Sequence, residues 1–143
     1  MKVLVVNGPN LGSLGRREPE VYGSRTLGDL EKMLRERAGE LGCQLRFVQS
    51  NHEGELIDAI EKERSWAEAI IVNPGALSHY SLALADAVRG AGVPAVEVHI
   101  TNVFSREPER QRMVTASAAR GLISGLGFEG YLAALNYLAG LRP

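Results

Sequence analysis

KVLVVN, residues 2–7, decides the fold. Its apolar side chains run on without the alternation of a sheet that has one wet face, so the segment reads as a strand covered on both sides, as in parallel α/β sheets. AIIVN (69–73) and AVEVH (95–99) repeat the pattern, and further strands are expected at 45–49 and 119–124. Between these runs the period becomes helical. Thr26, with Asp29 three residues on, reads as a capped helix start, after which Leu27, Leu30, Met33, Leu34, Ala38 and Leu41 share one face until Gly42. Helices are also expected over 55–67, 80–91 and 131–141, leaving 101–117 irregular with one helical turn. Strands alternating with helices predict an α/β fold over residues 1–143, a single domain with a flavodoxin-like, doubly wound, five-stranded parallel sheet.

Composition agrees with that scale and narrows the function. The chain has 143 residues, 45% hydrophobic and 23% charged, with Lys+Arg 16 against Asp+Glu 17 and a net charge of −1. No general field draws it to nucleic acid or to an anionic membrane, so any anion must be held by placed residues. The single cysteine, Cys43, suits a reducing compartment. Met1-Lys2 runs straight into the first strand with no secretory apolar region, and a cytoplasmic location is expected.

Ligands in such sheets bind beyond the carboxyl ends of the strands. Three polar clusters fall there: Asn7 to Asn10, Asn73 to His79 and His99 to Asn102. Residues 11–25 (LGSLGRREPEVYGSR) exceed a tight turn, so they are either disordered or folded over the site as a lid carrying Arg16, Arg17 and Tyr22. A guanidinium beside the phenol would favour the phenolate, a usable base; without one the segment is a solvated basic loop. Glu97 and His99 lie two apart on a strand end and point the same way, so the carboxylate can orient and charge the imidazole as an acid. His79 is expected to begin a helix, binding ligand or capping backbone. His52 and Trp66 read as a loop residue and a partly exposed helix-end aromatic. GLGFEG (125–130) matches a dinucleotide fingerprint, but too little chain follows to complete that unit, and close helix–sheet packing explains its glycines better. No zinc spacing, phosphate loop or nucleophile elbow is present. A base on a lid, an acid on a strand end and arginines for anions suggest elimination or isomerisation beside a carbonyl. A non-catalytic flavodoxin-like binding or signalling module is the rival, and a nucleotide-binding module comes third.

Four blocks in order, NGPNLGSLGRREPEVYG (7–23), NPGALSHYS (73–81), EVHITN (97–102) and GLISGLGFEGY (121–131), closely resemble the type II 3-dehydroquinate dehydratases of the shikimate pathway. The resemblance implies trans elimination of water from 3-dehydroquinate through an enolate, with no cofactor, metal or Schiff base. Tyr22 would be the base and His99 the acid, with Glu97 orienting His99. Arg17 would favour the phenolate and Asn10 would hold the enolate oxygen or a bridging water. Asn73, His79 and Arg110 would bind substrate hydroxyls, and the backbone N–H groups of Ile100 and Thr101 would cradle a carboxylate. Asp86 lies seven residues beyond His79, about 10 Å along a helix, and so points away from its own rim; in the family it serves a neighbouring subunit. Trimers, usually four of them forming a homododecamer, are implied. Gln111 and Met113 depart from the His and Ser of many relatives, and Arg106 and Arg112 are expected to be solvated.

Overall fold

The computed structural model describes residues 1–142. Its strands are β1 (Lys2–Asn7), β2 (Gln44–Gln49), β3 (Ala69–Asn73), β4 (Ala95–His99) and β5 (Gly121–Ser124), and its helices α1 (Pro19–Tyr22), α2 (Leu27–Leu41), α3 (Glu53–Glu63), α4 (Leu82–Gly90) and α5 (Glu129–Ala139). All four strand pairings are parallel, in the order β2-β1-β3-β4-β5. Strand order therefore reverses between β1 and β3, the place where such sheets open a crevice. In β1, β3 and β4 every residue except Lys2 is buried, as their unbroken apolar runs require.

The sheet divides two apolar layers. Val3, Val5, Ile71, Val96 and Val98 face the layer that contains Leu30 and Leu34 of α2 and Tyr131, Leu135 and Leu138 of α5. Leu4, Val6, Ile70, Val72 and Ala95 face Leu56 and Ile60 of α3 and Leu84 and Val88 of α4. Leu30 and Leu34 are wholly buried, so truncating either to Ala costs about 2–5 kcal/mol. The cap of α2 is as expected: the Thr26 hydroxyl accepts from the Asp29 N–H at 3.1 Å and the Asp29 carboxylate accepts from the Thr26 N–H at 2.9 Å. Those bonds hold the Asp29 carboxyl below its ordinary range.

Several boundaries differ from the sequence reading for local reasons. The Ser81 hydroxyl accepts from the Leu84 N–H at 2.9 Å, so α4 starts at Leu82, and His79 ends a 3-10 turn over Gly75–His79 instead of opening the helix. Helix α3 stops at Glu63, and Trp66 beyond it lies under the Arg46 guanidinium, 4.2 Å from its ring centroid. Residues 101–117 hold more order than one turn, since 3-10 turns form at Val103–Ser105, Pro108–Arg110 and from Thr115 to Ala118. The last of these delays β5 until Gly121.

Candidate active site

A cavity open to solvent lies at the carboxyl ends of β1, β3 and β4. Asn10, Arg17, Tyr22, Asn73, His99, Ile100, Thr101 and Arg110 all line it, and so does Arg106. Eight residues expected from sequence are thus brought together, from the ends of strands and from the segments that follow three different strands. Within the expected lid, residues 11–13 form a 3-10 turn and Tyr22, at the end of α1, lines the cavity.

Tyr22 is flanked by two guanidiniums. Arg17 lies over the ring face, 5.0 Å from the centroid. Arg106 is also near the face at 5.4 Å, and its Nη1 donates to the phenol oxygen at 2.7 Å. Arg106 therefore corrects the sequence reading: it is not a solvated charge. The turns before and after it fold the segment back over the cavity, and the side-chain amide of Gln111 pins that fold by donating to the carbonyls of Val103 at 3.1 Å and Arg106 at 3.3 Å. Burial works against the Arg106 charge, yet the hydrogen bond and charge of Tyr22, followed by Glu107 and Glu18, hold its pKa above the ordinary value. Arg112 is exposed, as expected.

The acid side is built on β4. Its alternation sends Val96 and Val98 into one core layer and Glu97 and His99 to the opposite face. Glu97 is fully buried and His99 nearly so, with His99 Nε2 2.7 Å from Glu97 Oε2. The other Glu97 oxygen accepts the Thr115 hydroxyl. His99 Nδ1 takes no protein partner among the described residues, and it is the nitrogen left for a ligand.

The 125–130 glycines serve this rim rather than a nucleotide. The N–H groups of Gly125 and Gly127 donate to the carbonyls of His99 and Ile100 at 3.2 and 3.0 Å, and the Ser124 hydroxyl donates to the Thr101 carbonyl at 3.0 Å. In a trans peptide the N–H points opposite the preceding carbonyl. Fixing the His99 and Ile100 carbonyls on that clamp therefore turns the Ile100 and Thr101 N–H groups away from it, which makes two successive amides available to an anion. Gly125 sits at φ +94, and a Cβ there would lie 2.9 Å from Asn102 Cβ. Gly130 answers the packing expectation, with Val98 and Ile123 methyls 3.2 and 3.3 Å from where its Cβ would be.

On β1 and β3, paired in register at Asn7 and Asn73, a relay runs through Tyr131. Asn73 Nδ2 donates to the Tyr131 oxygen at 2.8 Å, and the Tyr131 hydroxyl donates to Asn7 Oδ1 at 2.7 Å. Asn73 Oδ1 accepts from the Gly75 N–H at 3.1 Å, which fixes the amide and leaves its second hydrogen for the cavity. Burial pushes the Tyr131 hydroxyl well above its ordinary pKa, with the Asn73 bond countering only part of this. Asn10 occupies the left-handed region at φ 70, a conformation asparagine tolerates, and its N–H donates to Asn51 Oδ1 at 2.9 Å.

Besides Glu97, which is buried behind His99, two expected residues lie outside the cavity. His79 lines an adjoining surface groove that also holds Arg110, with its ring centroid 6.4 Å from that of His99 and Nδ1 held 2.8 Å from the Arg112 carbonyl. Asp86 is largely exposed on α4, pairs at 3.4 Å with Arg89 and does not line the cavity. Arg106, Tyr131 and Thr115 were missed. Tyr131 left one trace in the sequence, a polar tip in the otherwise apolar run YLAAL.

The groups gathered at this rim, on an α/β scaffold, are able to take up and give up protons beside a small anionic ligand. Comparison with known proteins narrows the class. Residues 1–139 match the family model Dehydroquinase class II. A 3-dehydroquinate dehydratase of Roseiflexus castenholzii is 55% identical over 142 residues, covering 99% of this chain and 90% of that protein. One from Bacillus licheniformis is 53% identical over 94% of this chain and 93% of its own length. The crystal structure of type II dehydroquinase from Propionibacterium acnes superposes with a TM-score of 0.93 at 42% identity, covering 97% of this chain and 96% of that one. The chain belongs to the class II dehydroquinase family, and it is a hydro-lyase.

Proposed function

We propose that this chain dehydrates 3-dehydroquinate to 3-dehydroshikimate, a step of the shikimate pathway, by trans elimination through an enolate with Tyr22 as base and His99 as acid. Tyr22, with Arg106 at its oxygen and Arg17 over its ring face, takes the proton from C2 as the base. The electrons move toward the ketone oxygen, and the enolate is stabilised by Asn10, directly or through a bridging water, and by the two guanidiniums. Collapse of the enolate expels the C1 hydroxyl, which leaves as water with a proton from His99. Glu97 keeps the His99 ring oriented and cationic. The Ile100 and Thr101 amides cradle the substrate carboxylate, while Asn73, Arg110 and His79 bind hydroxyls. No cofactor is called for, because each proton has a protein donor or acceptor.

The observation that carries this reading is that a guanidinium-bound phenol and a carboxylate-paired imidazole line one cavity. Adding 3-dehydroquinate to the purified protein tests it directly. The ultraviolet absorbance of a conjugated enone carboxylate should grow without added metal and survive borohydride treatment; no absorbance, or inactivation by borohydride in the presence of substrate, contradicts it.

We also propose a trimer-based assembly, most simply a homododecamer, in which Asp86 serves the neighbouring subunit's cavity. Tyr80 and Leu82, at the start of the helix that carries Asp86, are 66% and 68% exposed, and large apolar groups so exposed suit a protein interface. Light scattering should give a mass well above the 15.5 kDa chain; a monomer at working concentration would contradict it. Among the described residues no helix is long and apolar enough to cross a membrane, and we place the enzyme in the cytoplasm.

A further inference from the structure

We infer that Thr115 is a positioning residue for the acid, its buried hydroxyl holding Glu97 in the charged form so that Glu97 in turn keeps a proton on His99. This deepens the reading of His99 given above and rests on it.

Glu97 has no exposed surface, and Thr115 is buried as well. A carboxylate taken out of water needs its oxygens satisfied or it takes up a proton instead. Each Glu97 oxygen has one partner: Oε2 faces His99 Nε2 at 2.7 Å, and Oε1 accepts from the Thr115 hydroxyl. Among the described residues, His99 is the only basic side chain within ion-pair distance of Glu97. The neighbours in register across the sheet, Val72 on β3 and Leu122 on β5, offer no hydrogen bond. Thr115 is thus the one neutral donor that favours the charged carboxylate, and without it Oε1 is a buried acceptor left bare.

The hydroxyl is held where it is needed. Just before Thr115, the Val114 N–H donates to the Ser78 carbonyl at 2.7 Å; after it, the Arg120 N–H donates to the Ala95 carbonyl at 2.7 Å. These bonds fasten the turn both to the 75–79 segment and to β4, the strand that carries Glu97. Branching at Cβ restricts Thr115 to few rotamers, so little freedom is lost in aiming the hydroxyl. The other titratable groups near His99 are His79, whose ring centroid is 6.4 Å away, and Tyr22, Arg17, Arg106 and Arg110 around the cavity. The three arginines favour loss of the imidazole proton and a Tyr22 phenolate across the cavity favours its retention, while among the described residues Glu97 is the one charged group hydrogen-bonded to the ring.

The test uses the full chain with Thr115→Val, which keeps the shape and removes the donor, and Thr115→Ser, which keeps the donor. Labelled-imidazole NMR without substrate follows His99 among the three histidines. In Thr115→Val the His99 titration midpoint should fall by about one pH unit, the size expected for losing a hydrogen bond to a charged group. At a pH between the two midpoints kcat should fall about tenfold with KM nearly unchanged, and Thr115→Ser should restore both. An unchanged His99 midpoint in Thr115→Val overturns the inference, as does a Thr115→Ser variant impaired as badly as Thr115→Val. Should Thr115→Val not fold, Thr115→Ala also removes the donor, and a midpoint in it equal to wild type overturns the inference equally. Because the titration needs no substrate, its outcome is separate from the reaction assigned above. That assignment fails instead if His99→Ala retains wild-type kcat.

Discussion

Replacing Arg106 by Met removes the charge at the Tyr22 oxygen while keeping much of the side chain's apolar length. With the donor nitrogen 2.7 Å from that oxygen, an effective dielectric of about 20 sets a ceiling of roughly 6 kcal/mol for its attraction to a phenolate. Desolvation of a side chain only 16% exposed takes back part of this. Hydrogen bonds to charged groups are worth about 1.5–3 kcal/mol net, which converts to about one to two pH units. The sign follows from which form is favoured: the guanidinium stabilises the phenolate, so its loss moves Tyr22 ionisation upward and shrinks the reactive fraction at neutral pH. Ultraviolet difference titration of Arg106→Met, with Arg106→Met/Tyr22→Phe subtracted, isolates this one phenol. At neutral pH kcat should fall about ten- to hundredfold and recover in part as the pH is raised; Arg106→Lys, which keeps a point charge, should lie between. A Tyr22 titration identical in wild type and Arg106→Met would refute the reasoning and leave Arg17 as the activating group.

Tyr22→Phe should lower kcat by about two to four orders of magnitude while thermal melting stays close to wild type, because Tyr22 adds little to the core; near-normal turnover would remove the base assignment. Tyr131→Phe frees the Asn73 amide and bares Asn7 Oδ1, so KM should rise several-fold with a smaller change in kcat. The same variant carries a pH signature. The raised pKa of Tyr131 means the folded state holds the neutral form, so its contribution is full below the ordinary value of 10.0 and is lost as the unfolded chain ionises above it. Urea midpoints of wild type should thus decline more steeply than those of Tyr131→Phe in that alkaline window, and parallel declines would contradict the burial argument. Gly125→Ala forces a left-handed residue against Asn102 and should cost about 1–3 kcal/mol of stability, with a raised KM as the amide cradle shifts; unchanged calorimetry and KM would show that the clamp does not set the cradle.

The sheet was legible because burial on both faces writes itself into sequence. LVV in β1 and IIV in β3 have no second reading at their length, and the order of polar strand ends then placed the rim. Asn10, Asn73, His99, Ile100 and Thr101 from the strand ends, with Arg17 and Tyr22 from the lid, reached the cavity for that reason. Arg106 was misread because its direction depends on three successive 3-10 turns, and such turns have no periodicity by which to separate an inward arginine from a solvated one. Thr115 and Tyr131 were invisible for another reason: each matters only through a partner distant in sequence, Glu97 and Asn73, and a hydroxyl's partner is fixed by tertiary packing. His79 was placed beside the correct loop but on the wrong element, since the serine two residues later is the actual cap.

The division of labour between phenol and imidazole is tested most directly by following deuterium at C2 of labelled 3-dehydroquinate in His99→Ala. Washout of the label into solvent should continue while enone formation falls by orders of magnitude, because proton removal at C2 precedes departure of the hydroxyl. Equal loss of washout and enone formation in that variant would contradict the assignment of His99 to the second step.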